Sequence, residues 1–264
     1  MLSKTIWMLW FQGFDAAPDV VKSCVKSWQK HNPDWTIELL DQTNINRFLS
    51  PEELETFSSK DNLKLAHQAD IIRIILLKKF GGVWVDATSY CVMPLSSWLP
   101  KHMKSDFFAF SKPGRDREIS NWFMGSEKNG YIITSMVKDV YDYWKVYPRT
   151  RFKYYTIERI FKLYPPIWFT RLVSLKMRKM PYFWFHYLFG VRLKTDAKFE
   201  AHWRKNVFFE AEAPHSAQKI GLSKSKNSAL KKLKRSPVYK LTWKIDETKL
   251  NNNSLWWAFV EGEI

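Results

Sequence analysis

Cysteine is scarce in this chain, with only Cys24 and Cys91 in 264 residues. Two cysteines make no disulfide framework, and their number and spacing fit no zinc pattern. A reducing compartment is the natural setting for such a chain. Long hydrophobic runs are absent too. No uninterrupted apolar stretch reaches about 18 residues, so no membrane-spanning helix is expected. Met1 to Phe11 is apolar but short, and Gly13, Asp15 and Pro18 follow at once. It lacks a basic leader and a small-residue cleavage site, so no signal peptide is expected. Acidic residues are missing from particular places. Residues 1–150 hold 19 basic and 17 acidic residues, residues 151–205 hold 13 and 3, and residues 219–240 hold 8 and none. The net charge of +16 therefore belongs to surfaces in the second half. Such patches seek phosphates, whether of nucleic acid, lipid head groups or a diphosphate ligand. There is no internal repeat and no low-complexity run beyond a Lys-rich loop.

What is present fits one medium domain, or one domain with a large insertion. Hydrophobic residues make up 45% and charged residues 26%, enough for an ordinary core. Aromatics at 17%, with 14 Trp, exceed the ordinary share. Trp and Tyr suit surfaces that are apolar on one side and wet on the other, such as sugar sites and membrane interfaces.

The pattern along the chain alternates strand and helix. Lys4–Phe11 reads as a buried strand ended by Gly13. Pro18 opens a helix to His31, with Val21, Val25 and Trp28 at helical spacing. Trp35–Leu40 is a second strand, and Ser50–Glu53 begins a short helix with acids in its first turn. Asn62–Phe80 is a long helix stopped by Gly81-Gly82. Val83–Val85 is a short strand with Asp86 at its carboxyl end. Phe107–Phe110 and Trp122–Met124 read as short strands, and Tyr131–Tyr147 as a helix. That rhythm predicts an α/β sheet with helices on both faces. In open sheets of this kind ligands bind beyond the carboxyl ends of the strands, where Asp86 falls. Three parts follow: a core over 1–150, a basic aromatic helical insertion over 151–205, and a C-terminal segment over 206–264 that completes the site.

Two groups of residues could carry chemistry. Asp70 and Arg73 stand three apart on one face of a helix whose other positions are nearly all apolar. A charged pair there needs partners. It either closes on itself as an ion pair or faces a ligand. Asp86 is delivered to a strand end by a helix stop and a tight turn. It either caps the turn with Thr88 and Ser89 or holds a divalent cation that also binds phosphates.

Residues 4–13 (KTIWMLWFQG), 69–95 (ADIIRIILLKKFGGVWVDATSYCVMPL) and 107–126 (FFAFSKPGRDREISNWFMGS) resemble the bacterial capsular polysaccharide synthesis proteins. These are relatives of family 32 glycosyltransferases and, more distantly, of the glucosylating clostridial toxins. The resemblance returns near Tyr182–Phe189, Pro214–Gln218 and Pro237–Lys244. It implies a GT-A fold, a Rossmann-like nucleotide-sugar-binding sheet, and a retaining hexosyltransferase. The expected donor is a nucleotide-sugar, a UDP-sugar first. The expected acceptor is a polysaccharide or lipid-linked oligosaccharide of capsule, lipopolysaccharide or a related glycan. Trp10 matches the family's base-stacking aromatic residue. Asp70 and Arg73 match its Asp-x-x-Arg, which holds donor sugar and phosphate. Asp86 matches the first Asp of its DXD motif, and Asn121 falls where the family often places a sugar-contacting Asn. The resemblance implies Mn2+ or Mg2+ with Asp86 as a ligand, and His215 either supplies a further ligand, as a tail His does in some related retaining enzymes, or is a surface residue. Here, however, DXD reads Asp86-Ala87-Thr88, and a neutral hydroxyl is a poor replacement for the second carboxylate.

The basic aromatic segment, with Trp168, Trp184 and Phe185, is expected to meet an anionic membrane surface. Core packing with a solvated rim is the other reading of it. The membrane reading places the protein in the bacterial cytoplasm, peripheral on the cytosolic face of the inner membrane. Two other functions stay open. One is a non-catalytic membrane-associated scaffold of the same fold. The other is a basic nucleic-acid-binding protein, disfavoured because the charge avoids the first 150 residues and no RRM, KH or helix-turn-helix signature appears. Nucleic acid is therefore not an expected partner.

Overall fold

Along each central strand the side chains alternate between two cores, as a pleated backbone requires. Trp7, Leu9, Trp84, Phe107, Ala109 and Met124 enter one core. Ile6, Met8, Val83, Val85, Phe108, Phe110 and Phe123 enter the other. The protein is described here by a computed structural model covering residues 1–58, 63–144, 150–151, 161, 163–176 and 179–264.

The chain begins with β1 (Thr5–Leu9), α1 (Asp19–His31), β2 (Thr36–Leu40), α2 (Pro51–Ser58) and α3 (Leu65–Phe80). It continues with β3 (Gly82–Val85), β4 (Ser89–Cys91), α4 (Leu95–His102), β5 (Phe107–Gly114), β6 (Arg117–Ser126) and α5 (Tyr131–Trp144). Five strands form the main sheet in the order β2-β1-β3-β6-β5. β1 runs parallel to β2 and β3, and β6 runs antiparallel to β3 and β5. The α/β sheet with helices on both faces is as the sequence predicts. The long helix begins at Leu65, three residues later than the apolar pattern suggests. β5 and β6 are longer than expected and form a hairpin. Its tip (Pro113 to Arg117) is polar enough to hide the continuity.

The turn between α3 and β3 has one backbone solution. Gly81 and Gly82 both have positive φ, at 69° and 96°. A Cβ on Gly82 would stand 2.4 Å from the Thr5 carbonyl oxygen, and one on Gly81 2.8 Å from the Lys128 nitrogen. The indole of Trp7 donates to the Gly81 carbonyl at 2.9 Å and locks the turn to β1.

Trp168 and Trp184 are fully buried, and Phe185 is 1% exposed. The expectation that these three side chains meet a membrane is therefore corrected. Trp184 and Phe185, on the helix Trp184–Thr195, join the core of α3 and α5. Trp168 packs with Val173 and Tyr187 in a small separate cluster. A large aromatic ring suits a core and an interface equally, so composition alone misplaces them. Among the described residues of 151–205, Leu163, Tyr164, Leu172 and Tyr182 are exposed. Both cysteines are free and buried. Burial pushes the Cys91 thiol up to about 12, so it packs as a small apolar group.

The C-terminal segment returns to the sheet's carboxyl edge. The strand Val238–Lys240 pairs antiparallel with β4, placing Lys240 opposite Ser89 and Val238 opposite Cys91. The Lys240 amide donates to the Pro214 carbonyl at 2.9 Å, which ties His215 to the same edge.

Candidate active site

Helix α3 is apolar around almost its whole circumference, yet Asp70 and Arg73 lie within it, 7% and 4% exposed. Charges buried so deeply must be paired. Arg73 Nη1 stands 2.9 Å from Asp70 Oδ1, and Nη2 stands 3.2 Å from Asp86 Oδ1. Nη1 also donates to the Asn121 carbonyl at 2.7 Å. The Asn121 amide donates to Asp70 Oδ1 at 2.7 Å. The guanidinium lies 5.1 Å from the centre of the Trp84 ring, whose indole donates to Asp86 Oδ1 at 3.1 Å. The ion pair does not close on itself. It reaches across the α3–β3 turn to the strand-end carboxylate, because the planar fork of Arg serves two acceptors at once.

Asp86 is held on its other side by a residue the sequence analysis missed. Lys240 Nζ lies 2.8 Å from Asp86 Oδ2 and 2.9 Å from Thr88 Oγ1. Burial resists ionisation of Asp86, but the Lys240 ammonium and the Arg73 guanidinium outweigh it and hold the carboxyl below the usual range. No local signal marks Lys240, since only the pairing with β4 brings it here. The clue available in the sequence was the return of the family resemblance at Pro237–Lys244.

All of these side chains line one cavity of about 820 Å³. Trp10 lies just past the end of β1, and its ring meets Trp243 edge-on at 5.8 Å. His215 lines the same cavity, 5.6 Å from the Trp122 ring. Burial, then the nearby Lys240, Lys219 and Arg117 charges, push the His215 imidazole down to about 4. His67 and His186 line it as well, and neither was singled out in sequence. His67 Nδ1 accepts from the Trp184 indole at 3.1 Å. The His186 imidazole is pushed well below its ordinary range by burial, then by the Arg117 and Arg73 charges. The structure thus brings Trp10, Asp70, Arg73, Asp86, Asn121 and His215 to one cleft.

The donor atoms do not fit a divalent cation. Mg2+ requires oxygens at about 2.0–2.1 Å in octahedral geometry. Asp86 has Arg73 on one oxygen and Lys240 on the other. Thr88 brings no charge, and its hydroxyl accepts from Lys240. Among the described residues no group of three or more His, Cys, Asp or Glu side chains is placed to hold a metal ion.

A mixed sheet flanked by helices, with a charged cleft past the carboxyl ends of its central strands, is an α/β fold that takes its ligand at the strand ends. The family model described as capsular polysaccharide synthesis protein matches residues 1–168 and 169–258. The chain belongs to that family. It is 30% identical over 97 residues to the O-glycosyltransferase braB of Annulohypoxylon truncatum, covering 33% of this chain and 23% of that protein. It is 27% identical over 124 residues to the putative glycosyltransferase HOC1 of Saccharomyces cerevisiae, covering 44% of this chain and 30% of that protein. The chain thus spans less than a third of the length of either relative. A solved structure titled PaToxG Glycosyltransferase is similar at a TM-score of 0.42 and 14% identity, over 77% of this chain and 84% of that one.

Proposed function

We propose that this chain is a retaining hexosyltransferase. It moves a sugar from a nucleotide-sugar, a UDP-sugar first among the candidates, to a polysaccharide or lipid-linked oligosaccharide acceptor of capsule, lipopolysaccharide or a related glycan. The observation that carries this reading is the Asp70–Arg73–Asp86 network inside one cavity with Trp10 and Trp243. At about 820 Å³ the cavity falls in the size range of small-molecule sites. Trp10 offers a flat apolar face to a base. Asp70 and Asn121 offer acceptors and donors to sugar hydroxyls, and Arg73 offers a rigid fork to phosphate or sugar oxygens.

Asp70 and Asp86 are both ion-paired to Arg73, so neither is free to act as a carbon nucleophile. This supports front-face transfer. The bond from the anomeric carbon to the diphosphate oxygen breaks, and its electron pair leaves with the diphosphate. The acceptor oxygen bonds on the same face, and its proton passes to the leaving phosphate oxygen.

The place of action is the cytosolic face of a bacterial inner membrane. Exposed Leu163, Tyr164 and Leu172 and exposed Lys176, Lys194, Lys198 and Lys205 support a peripheral contact there. The functional test is a thermal-shift screen against UDP- and GDP-hexoses. A ligand at 100 times its Kd stabilises by about 2.7 kcal/mol, which gives a readable rise in melting temperature. At least one donor is expected to produce it. A flat response to the whole panel would remove the donor reading.

A further inference from the structure

The donor cleft is short of a metal site but not of positive charge. Asp86 and Thr88 stand at the first and third positions of the Asp86-Ala87-Thr88 segment, and both point oxygens at one atom, Lys240 Nζ, at 2.8 and 2.9 Å. We infer that Lys240 takes the place of the divalent cation: its ammonium, held by Asp86 and Thr88, receives the diphosphate of the donor, which therefore binds without a metal ion.

Three observations carry this. First, the positions compete. A metal bound to Asp86 Oδ2 at about 2 Å would lie within a few ångströms of an ammonium 2.8 Å from the same oxygen, and the two positive charges would repel. Second, the donors add up. An ammonium has three N–H groups. Two go to Asp86 and Thr88, and the side chain lines the cavity, so a third remains for a phosphate oxygen. Third, the charges add up. Asp70 and Asp86 bring two negative charges, and Arg73 and Lys240 bring two positive ones. Without Lys240 that network would be net negative. With it the network is neutral, and Arg117 and exposed Lys244, which also line the cavity, add positive charge. The substitution of Thr for the second carboxylate then has a reason. A monovalent ammonium is matched in charge by one carboxylate, and a neutral hydroxyl serves as its second acceptor. During transfer, the bond from anomeric carbon to phosphate oxygen breaks and negative charge grows on the diphosphate. A fixed ammonium stabilises that growth without moving.

This rests on the nucleotide-sugar reading above. Isothermal titration of the full chain with UDP and GDP, each in EDTA and again with Mn2+, tests it, with UMP and GMP as controls. The expected result is that the better diphosphate binds in EDTA with a Kd that Mn2+ changes less than threefold. Lys240→Met should weaken that diphosphate at least tenfold and leave its monophosphate within threefold, while Lys240→Arg recovers part of the loss. A generally damaged cleft would lose both nucleotides alike, and thermal melting of each variant checks folding. If the wild-type protein binds the diphosphate only with Mn2+, the inference is overturned and the donor reading stands. If Lys240→Met binds diphosphate as the wild type does, the inference is overturned as well. If no nucleotide binds in either condition, the donor reading falls and takes this inference with it.

Discussion

Arg73 holds the cleft together, since its two terminal nitrogens serve Asp70, Asn121 and Asp86 from one rigid plane. Lysine is a point charge on a flexible stem and cannot make those contacts together. Arg73→Lys should lower turnover by about 100-fold or more, with a cooperative unfolding transition retained. Asp86→Asn should lower it at least as far, because it frees Lys240 and Arg73 from their shared anchor. Steady-state kinetics of either variant within tenfold of the wild type would remove that residue from the mechanism. The histidines give a separate signature. An unfolded His215 titrates near 6.5 and the folded one at about 4. Between those values the unfolded chain binds more protons, so stability falls as pH drops below about 6.5 and is complete above it. His215 should cost about 2 kcal/mol between pH 7 and pH 5, and His186, also depressed, adds to the loss. Urea denaturation at the two pH values measures this, and His215→Phe, which can still pack on Trp122, should flatten the slope. An unchanged slope in that variant would show that His215 is not the buried neutral group described.

At the scale of elements, the Gly81-Gly82 turn decides where Asp86 ends up. Gly82→Ala must accept a positive φ and a Cβ 2.4 Å from backbone oxygen. Positive φ alone costs about 1–3 kcal/mol for a side-chain-bearing residue, and the clash adds to it. A loss of at least about 2 kcal/mol in chemical denaturation is expected, and a smaller loss would mean that the turn relaxes readily. This turn was legible in sequence, because a long apolar helix, two glycines and an apolar strand leave few alternatives. The strand–helix rhythm was legible for the same reason, since period 2 and period 3.6 differ plainly over β1, α1 and α3. The β5–β6 hairpin was only half legible, as Pro113, Gly114 and the charged tip interrupt its pattern. Val238–Lys240 was not legible as the strand that completes the site. A three-residue strand has no period to detect, and its partner lies about 150 residues earlier.

Across the whole molecule, the uneven charge outlived a wrong choice of aromatic residues. Trp168, Trp184 and Phe185 are buried, so replacing them would damage packing and report nothing about lipid. Among the described residues Leu163, Tyr164 and Leu172 are exposed, and so is Tyr182, which lines the cleft. Each Lys or Arg near an anionic surface contributes roughly 1 kcal/mol, which salt screens, while apolar insertion resists salt. Vesicle co-sedimentation should therefore show binding to mixed anionic lipid that weakens but persists at physiological salt. Changing Leu163, Tyr164 and Leu172 together to Ser should reduce the persistent part. A protein that ignores anionic vesicles even at low salt uses this surface for something else, with an acidic glycan as the next candidate.

A cleft that binds and breaks a nucleotide-sugar should be visible by phosphorus NMR of UDP- and GDP-hexoses incubated with the protein, with proton NMR of the freed sugar taken before its anomers equilibrate. Slow release of nucleoside diphosphate from one donor is expected even without acceptor, with the anomeric configuration retained. Asp86→Asn should lose that release. Release with inverted configuration would contradict the front-face mechanism, and equal release by Asp86→Asn would contradict the site itself.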